Sequence, residues 1–369
     1  MSLIYIDSFD HRNWTNDGEK LTQGQRCSYL YARGGVGQGA QVSGATSQRW
    51  LSGFGASRTL FTGVAWRVNY DFAFGPSAIM FYGNHGNQFE FNVTLNPDWS
   101  MTSCGLTSAA NVFRARTWNY VEVKTKMHVS SSGGLNGEII VKCNGVSVIS
   151  SSGVLNRNSQ NQLGWTTYDG IGLYGNGNNS GDYDDWYILN DTDSGAIDSY
   201  GNPMPNNNFL GDVVVRAIYP INSGSVKQLT SFPAAGVTAS YMNVNETASR
   251  NAGGTILDTA PNLTNYNYSA VSASADLYKY QQISVPGTGI IYGIQMVPAV
   301  WKSDSFVKGF SNVISSSATC LTGSRQSIAD TTNYFAGTTN IFESNPDTPL
   351  TGWSTSSLNA AEFGIMVQD

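Results

Sequence analysis

With 369 residues the chain is long enough for two domains that each bury an apolar core of their own. Charged residues make up only 12% of it, about half the usual share, and 20 Lys+Arg against 26 Asp+Glu leave a formal net charge of -6. That balance excludes the basic footprint of a protein that grips phosphate backbones or anionic lipid, so neither nucleic acid nor membrane is an expected partner.

In chain order, two-residue alternation of apolar and polar side chains recurs with turn residues between the runs, the signature of half-buried strands. Strands are predicted at 3–6, 62–68 and 79–82. The run 89–95 places Phe89, Phe91, Val93 and Leu95 on one face. In 120–129, Val121, Val123, Met127 and Val129 face a core, while Glu122, Lys124, Lys126 and His128 face solvent. Asn144-Gly145 sits between two β-rich runs and predicts a two-residue turn in which both residues take positive φ. Strands at 171–174 and 183–189 complete enough material for two packed sheets.

From Asn190 onward Asn, Asp, Gly and Pro crowd together with little to bury, so a linker is expected over 193–208, between a domain at 1–192 and another at 209–369. Beyond it, 209–218 reads as a strong strand ended by Pro220, with further β signal at 241–244, 277–285 and 290–300. A short helix is predicted over 243–251, and 303–315 fits helix or strand equally. No basic, apolar leader follows Met1 and no apolar run reaches the length of a spanning helix, which predicts synthesis in a cytoplasm. Cys27, Cys104, Cys143 and Cys320 form no CxxC and no Cys/His cluster, which argues against a zinc site; cytoplasmic synthesis favours free thiols, with two disulfides the alternative in an oxidising compartment.

The strand beginning Trp118-Asn-Tyr-Val-Glu-Val, the hairpin around Asn144-Gly145 and the closing strand Tyr183-Asp-Asp-Trp-Tyr-Ile together resemble the concanavalin A-like, or laminin-G-like, jelly-roll sandwich. The segment Asn208-Phe-Leu-Gly-Asp-Val-Val-Val-Arg-Ala-Ile-Tyr-Pro220 and the ending from Trp353 through Leu358 to Ile365 resemble a narrower group, structural proteins of tailed bacteriophages. The resemblance implies an all-β chain: an N-terminal concanavalin A-like sandwich followed by a second β-rich, sandwich-like domain. It also implies a virion component of the tail, collar or neck, fiber or head decoration, made in the host bacterial cytoplasm.

Catalysis finds little support in the residues. The Glu-x-Asp-x-x-Glu strand pattern of β-glucanases is absent, and Glu90, Glu122 and Glu138 read as isolated, outward-facing carboxylates. His11, His85 and His128 stand in unrelated contexts without a Gly-x-Ser-x-Gly nucleophile. The run Gly35-Val-Gly-Gln-Gly-Ala40 matches a dinucleotide fingerprint in letters only, since Gln41-Val-Ser-Gly does not open a helix. Asp182, Asp184 and Asp185 could offer oxygen ligands to calcium, although Asx residues are also ordinary turn formers and only alternate strand side chains share a face. Trp14, Trp50, Trp99 and Trp165 could stack on sugar rings or fill a core. The expected function is therefore a non-enzymatic structural and assembly protein of a phage virion, without an obligatory cofactor, partnered by copies of itself and by other virion proteins. The alternative is a module that binds a host surface polysaccharide.

Overall fold

The computed structural model describes residues 2–9, 23–24, 33, 39–42, 47–68, 78–83, 88–129, 135–154, 156, 167–175, 181–190, 206, 208–232, 242, 244, 266–285, 289–300, 302–303, 306, 308–316, 319–328, 335–336, 341–348 and 351–368. They fall into two compact units, the first ending with Arg216 and the second occupying most of the chain from Ala217. None of the helices among the described residues is long and apolar enough to cross a membrane.

The first unit contains β1 (Ser2–Asp7), β2 (Gln23–Gly24), β3 (Ala40–Val42), β4 (Ser47–Ser57), β5 (Thr59–Val68), β6 (Ala78–Gly83) and β7 (Gln88–Leu95). It continues through β8 (Met101–Ser103), β9 (Leu106–Thr107), β10 (Asn119–Lys126), β11 (Gly137–Cys143), β12 (Val146–Val154), β13 (Tyr168–Gly175) and β14 (Gly181–Asn190). One sheet runs β1-β14-β5-β10-β11-β12, with β3 also on β14, and the other runs β2-β4-β13-β6-β7-β8-β9. Every pairing in both is antiparallel. Alternate side chains of the two sheets meet in one core. Val64, Trp66, Val121, Val123, Ile139, Trp186 and Ile188 come from the first sheet, and Ile79, Phe81, Phe91, Val93, Ile171 and Leu173 from the second. Phe81 and Phe91 stack at 4.5 Å across the β6/β7 ladder. The two-sheet antiparallel sandwich expected of a concanavalin A-like jelly roll is the architecture found. The Asn144-Gly145 turn behaves as predicted, with φ of 51° and 80°, values that suit the twist of a tight hairpin.

The second unit is β-rich as well: β15 (Pro220–Lys227), β16 (Thr230–Phe232), β17 (Tyr266–Tyr268), β18 (Ala275–Tyr280), β19 (Ile294–Gln295), β20 (Ala299–Val300) and β21 (Lys308–Ser315). After these come β22 (Cys320–Thr322), β23 (Gln326–Ile328), β24 (Phe335–Ala336), β25 (Ile341–Phe342), α1 (Thr355–Ala360) and β26 (Glu362–Gln368). One sheet, β15-β18-β26-β21-β22 with β23 on β21, is accompanied by three two-stranded ribbons, β16-β17, β19-β25 and β20-β24. A small core gathers Met296, Ile314, Trp353, Leu358 and Phe363, with the Trp353 indole N–H donating to the Phe342 carbonyl at 3.0 Å.

Several local expectations are corrected here. Residues 209–218 form no strand. The β signal at 290–300 resolves into the short β19 and β20, and 303–315 contains the strand β21. Met242 is 3₁₀-helical and Val244 lies in a turn, neither in a strand, and the rest of the helix expected over 243–251 lies outside the described residues. The helix α1 was not predicted. Its N-cap Ser354 and Ser357 form a reciprocal capping box in which Ser replaces the Glu or Gln of the usual sequence signature.

Candidate functional site

A group of acidic and basic side chains of the first unit gathers on the outer face of its first sheet. Strand β14 carries Asp182, Asp184 and Asp185, all buried. Simple alternation would put Asp184 and Asp185 on opposite faces, but the register slips between Asp184 and Tyr187, so that Asp185 and Trp186 together oppose Val64 of β5. Asp185 takes a φ of 51°, a conformation that Asp tolerates better than most residues. This bulge lets both carboxylates reach Arg33: the Arg33 backbone N–H donates to Asp184 Oδ2 at 2.8 Å, and its guanidinium lies 3.4 Å from Asp185 Oδ2. The same guanidinium bonds Asp212 and donates to the Val213 carbonyl at 3.1 Å. Burial works against the charge on Arg33, but the hydrogen bond and charge of Asp212, together with Asp185, hold its pKa above the ordinary value. Asp182 is engaged elsewhere, by Arg67 Nε and Nη2 at 3.0 and 2.7 Å.

A strap formed by residues 208–216 lies over this face and belongs to the first compact unit, whereas the sequence places 208 at the end of the linker and 209–216 at the start of the second domain. Its side chains alternate between half-buried and exposed from Val213 to Arg216, yet side chains rather than a neighbouring strand receive its backbone N–H groups. Gly211 donates to Glu122 Oε1 at 2.8 Å and Val215 to Asp185 Oδ1 at 2.7 Å, while Leu210 donates to the Tyr187 hydroxyl at 3.2 Å. Tyr187 in turn donates to Glu122 Oε1 at 2.6 Å. Phe209 packs edge-on against Phe61, with centroids 5.2 Å apart, and carries Lys142 Nζ over its ring at 4.1 Å. Gly63 lies beneath the Tyr187 ring, where an added Cβ would come within 2.2 Å of it. Tyr120 donates to the Asp185 carbonyl at 3.0 Å; burial first, then the neighbouring Tyr187, Asp185 and Glu122, push its pKa far above the usual value and keep the phenol neutral.

The solvent-facing carboxylates expected from sequence thus need correction. Glu122 is buried beneath the strap and Glu90 is buried in β7, while Glu138 pairs with Lys124 at 2.9 Å. His128, also expected outward, is buried, and its Nδ1 accepts the Asn136 N–H at 3.0 Å. His11 and His85 lie outside the described residues. Asp182 serves the Arg67 guanidinium and Asp185 that of Arg33, while Asp184 accepts the backbone N–H groups of Arg33 and Asp185, and no cluster of three or more acidic, Cys or His side chains able to hold a metal occurs among the described residues. Trp99 is half-buried, stacked on Phe113 at 6.3 Å and packed against the core. Trp50 lies in β4, with its side chain outside the described residues, as are Trp14 and Trp165 entirely. Cys104, Cys143 and Cys320 are free thiols, and burial pushes those of Cys104 and Cys143 up to about 11. Cys27 lies outside the described residues. Sequence reading missed Arg33 and Asp212 because nothing near either announces its partner. Their only local signal is charge in a chain that has little of it.

No family model and no curated protein matches the chain. Solved structures similar to it include alginate lyase vAL-1 from Chlorella virus, 11% identical over 44% of this chain and 89% of that one, with a TM-score of 0.33. Others are the endo-beta-1,4-glucuronan lyase of the fungus Trichoderma reesei, 11% identical over 49% and 90% with a TM-score of 0.30, and domain 4 of AbnA, an extracellular arabinanase from Geobacillus stearothermophilus, 14% identical over 51% and 92% with a TM-score of 0.33. At this level of similarity none of their activities transfers to this chain.

Proposed function

We propose that the chain is a non-enzymatic structural and assembly protein of a tailed-phage virion, working in contact with copies of itself and with other virion proteins. The observation that carries the non-catalytic part is the commitment of acidic groups on the first sheet's outer face. Glu122, Asp182, Asp184 and Asp185 are each engaged by a guanidinium, a phenol or a backbone N–H. A hydrolytic pair needs two carboxylates facing a shared, open cleft, one of them able to give up a proton. Carboxylates closed under a strap serve instead to fix it. The charge-poor surface, with Leu135, Val146 and Val214 exposed on the first unit, suits permanent packing better than steering of a charged ligand. The virion assignment rests on the resemblance carried by residues 208–220 and 353–365.

Immunogold electron microscopy of phage particles, with an antibody raised against the full chain, tests this reading. Label on neck, head, tail or fiber is the expected result. Particles that stay unlabelled while the antibody recognises the denatured chain from the same lysate would sink it.

A further inference from the structure

The ribbon β16-β17 has two unlike faces. Opposite pairs across it are Thr230 with Tyr268, Ser231 with Asn267 and Phe232 with Tyr266, so Thr230, Phe232, Tyr266 and Tyr268 share one face. On the other face Asn267 Nδ2 donates to the Tyr278 hydroxyl at 2.7 Å, and Tyr278 donates to Asp276 Oδ2 at 3.0 Å. Asp276, fully buried, also accepts the backbone N–H groups of Gln228 and Leu229 at 2.7 and 2.8 Å, immediately before β16 begins. The ribbon is therefore pinned from behind, and its aromatic face points away from that anchorage.

That face is ordered as well as apolar. Phe232 and Tyr266 stack with centroids 5.0 Å apart and planes 11° from parallel, and Tyr268 follows at 6.0 Å from Tyr266. Even so, Phe232 is 50% and Tyr268 49% exposed. An aromatic side chain carries roughly 150–250 Å² of surface, so the accessible ring area is on the order of 200–300 Å². A stable protein interface needs about 800 Å² per partner. The patch is thus sized for a small, flat ligand. No Asp, Glu, Lys or Arg occurs in either strand, so the face offers nothing to match a charged ligand. Apolar rings bearing phenol hydroxyls suit the mixed surface of a pyranose, whose C–H face packs on a ring while its hydroxyls need polar partners. Because the rings hold one another and the ribbon is anchored, little side-chain freedom remains to be lost on binding.

We propose that Phe232, Tyr266 and Tyr268 form a stacking platform for an uncharged polysaccharide. This site lies in the second unit, uses none of the tryptophans considered as sugar-stacking residues in the sequence, and does not depend on the assembly reading. The test is affinity gel electrophoresis of the full chain through dextran, mixed-linkage β-glucan and galactomannan, with alginate as the acidic control. Retardation by at least one neutral polysaccharide is expected. The double variant Phe232→Ala/Tyr268→Ala should weaken it by roughly tenfold while remaining folded, and Tyr268→Phe should keep most of it. The proposal fails if no neutral polysaccharide retards the chain, if alginate alone does, or if the folded double variant is retarded like the parent. It fails equally if the substitutions change only the oligomeric state, since the rings would then serve a protein contact. A chain that labels the particle yet binds no neutral polysaccharide keeps the assembly reading and loses this one.

Discussion

Two faces of this protein invert what their residues suggest. The outer face of the first sheet carries Glu122, Asp182, Asp184, Asp185, Arg33 and Arg67, residues normally at the surface, and most of them are buried. The ribbon β16-β17 carries Phe232 and Tyr268, residues normally enclosed, and leaves half of each in solvent. Covering decides the difference. Residues 208–216 close the first face and make its charges a lock, whereas the aromatic side of the ribbon retains its exposure. Charge thus holds structure in one region, while apolar surface is available for contact in the other.

If that contrast is right, alanine should cost more in place of the charges than in place of the exposed aromatics. Arg33→Ala leaves Asp185 buried without its guanidinium, and a loss of about 3 kcal/mol in urea unfolding is expected. Proteolytic cleavage should also become faster within 208–216, and protection equal to the parent's would argue against the lock. Glu122→Ala strands the Tyr187 hydroxyl and the Gly211 N–H, for about 2 kcal/mol by the same measurement. Gly63→Ala pushes a methyl group into the Tyr187 ring and should cost about 1–2 kcal/mol, which Tyr187→Leu in the same chain should partly relieve.

The same face responds to alkali. Burial raises the pKa of Tyr120 above its unfolded value of about 10. The folded chain therefore holds that proton more tightly than the unfolded chain. The stability tied to it is fully present below about pH 10 and is lost as pH rises toward the folded value. Urea midpoints compared at about pH 8 and about pH 11 should fall with pH, and less steeply in Tyr120→Phe. The smallest effect belongs to the ribbon: Phe232→Ala, which removes a half-exposed ring stacked on Tyr266, should move stability by about 1 kcal/mol. A larger loss would mean that the ring is part of the core after all.

How much was legible beforehand depended on how local each signal is. Strands β5, β6, β7, β13 and β14 and the Asn144-Gly145 turn could be located because alternation and positive φ are written in neighbouring residues. Residues 209–218, apolar and rich in β-branched side chains, read as a strand just as clearly and form none, although burial alternates from Val213 to Arg216. Period-two burial reports only that alternate side chains meet a surface, and it is silent on what accepts the backbone N–H groups. Here Glu122, Asp185 and Tyr187 accept them in place of a neighbouring strand. The helix α1 escaped notice because its capping pair is Ser354 and Ser357, which lacks the acidic partner that makes such a box conspicuous.

The sequence alone determined that the chain is β-rich, where most strands of the first unit lie, and that its surface carries little charge, because these follow from side-chain order and composition. Tertiary structure decided which carboxylates are buried, that a bulge at Asp185 brings two of them to one arginine, and that a segment beyond the closing strand seals the face above them. Those outcomes rest on contacts such as that between Arg33 and Asp184, separated by 151 residues. Such a pairing depends on where two sheets and a strap come to lie, and no local pattern records it.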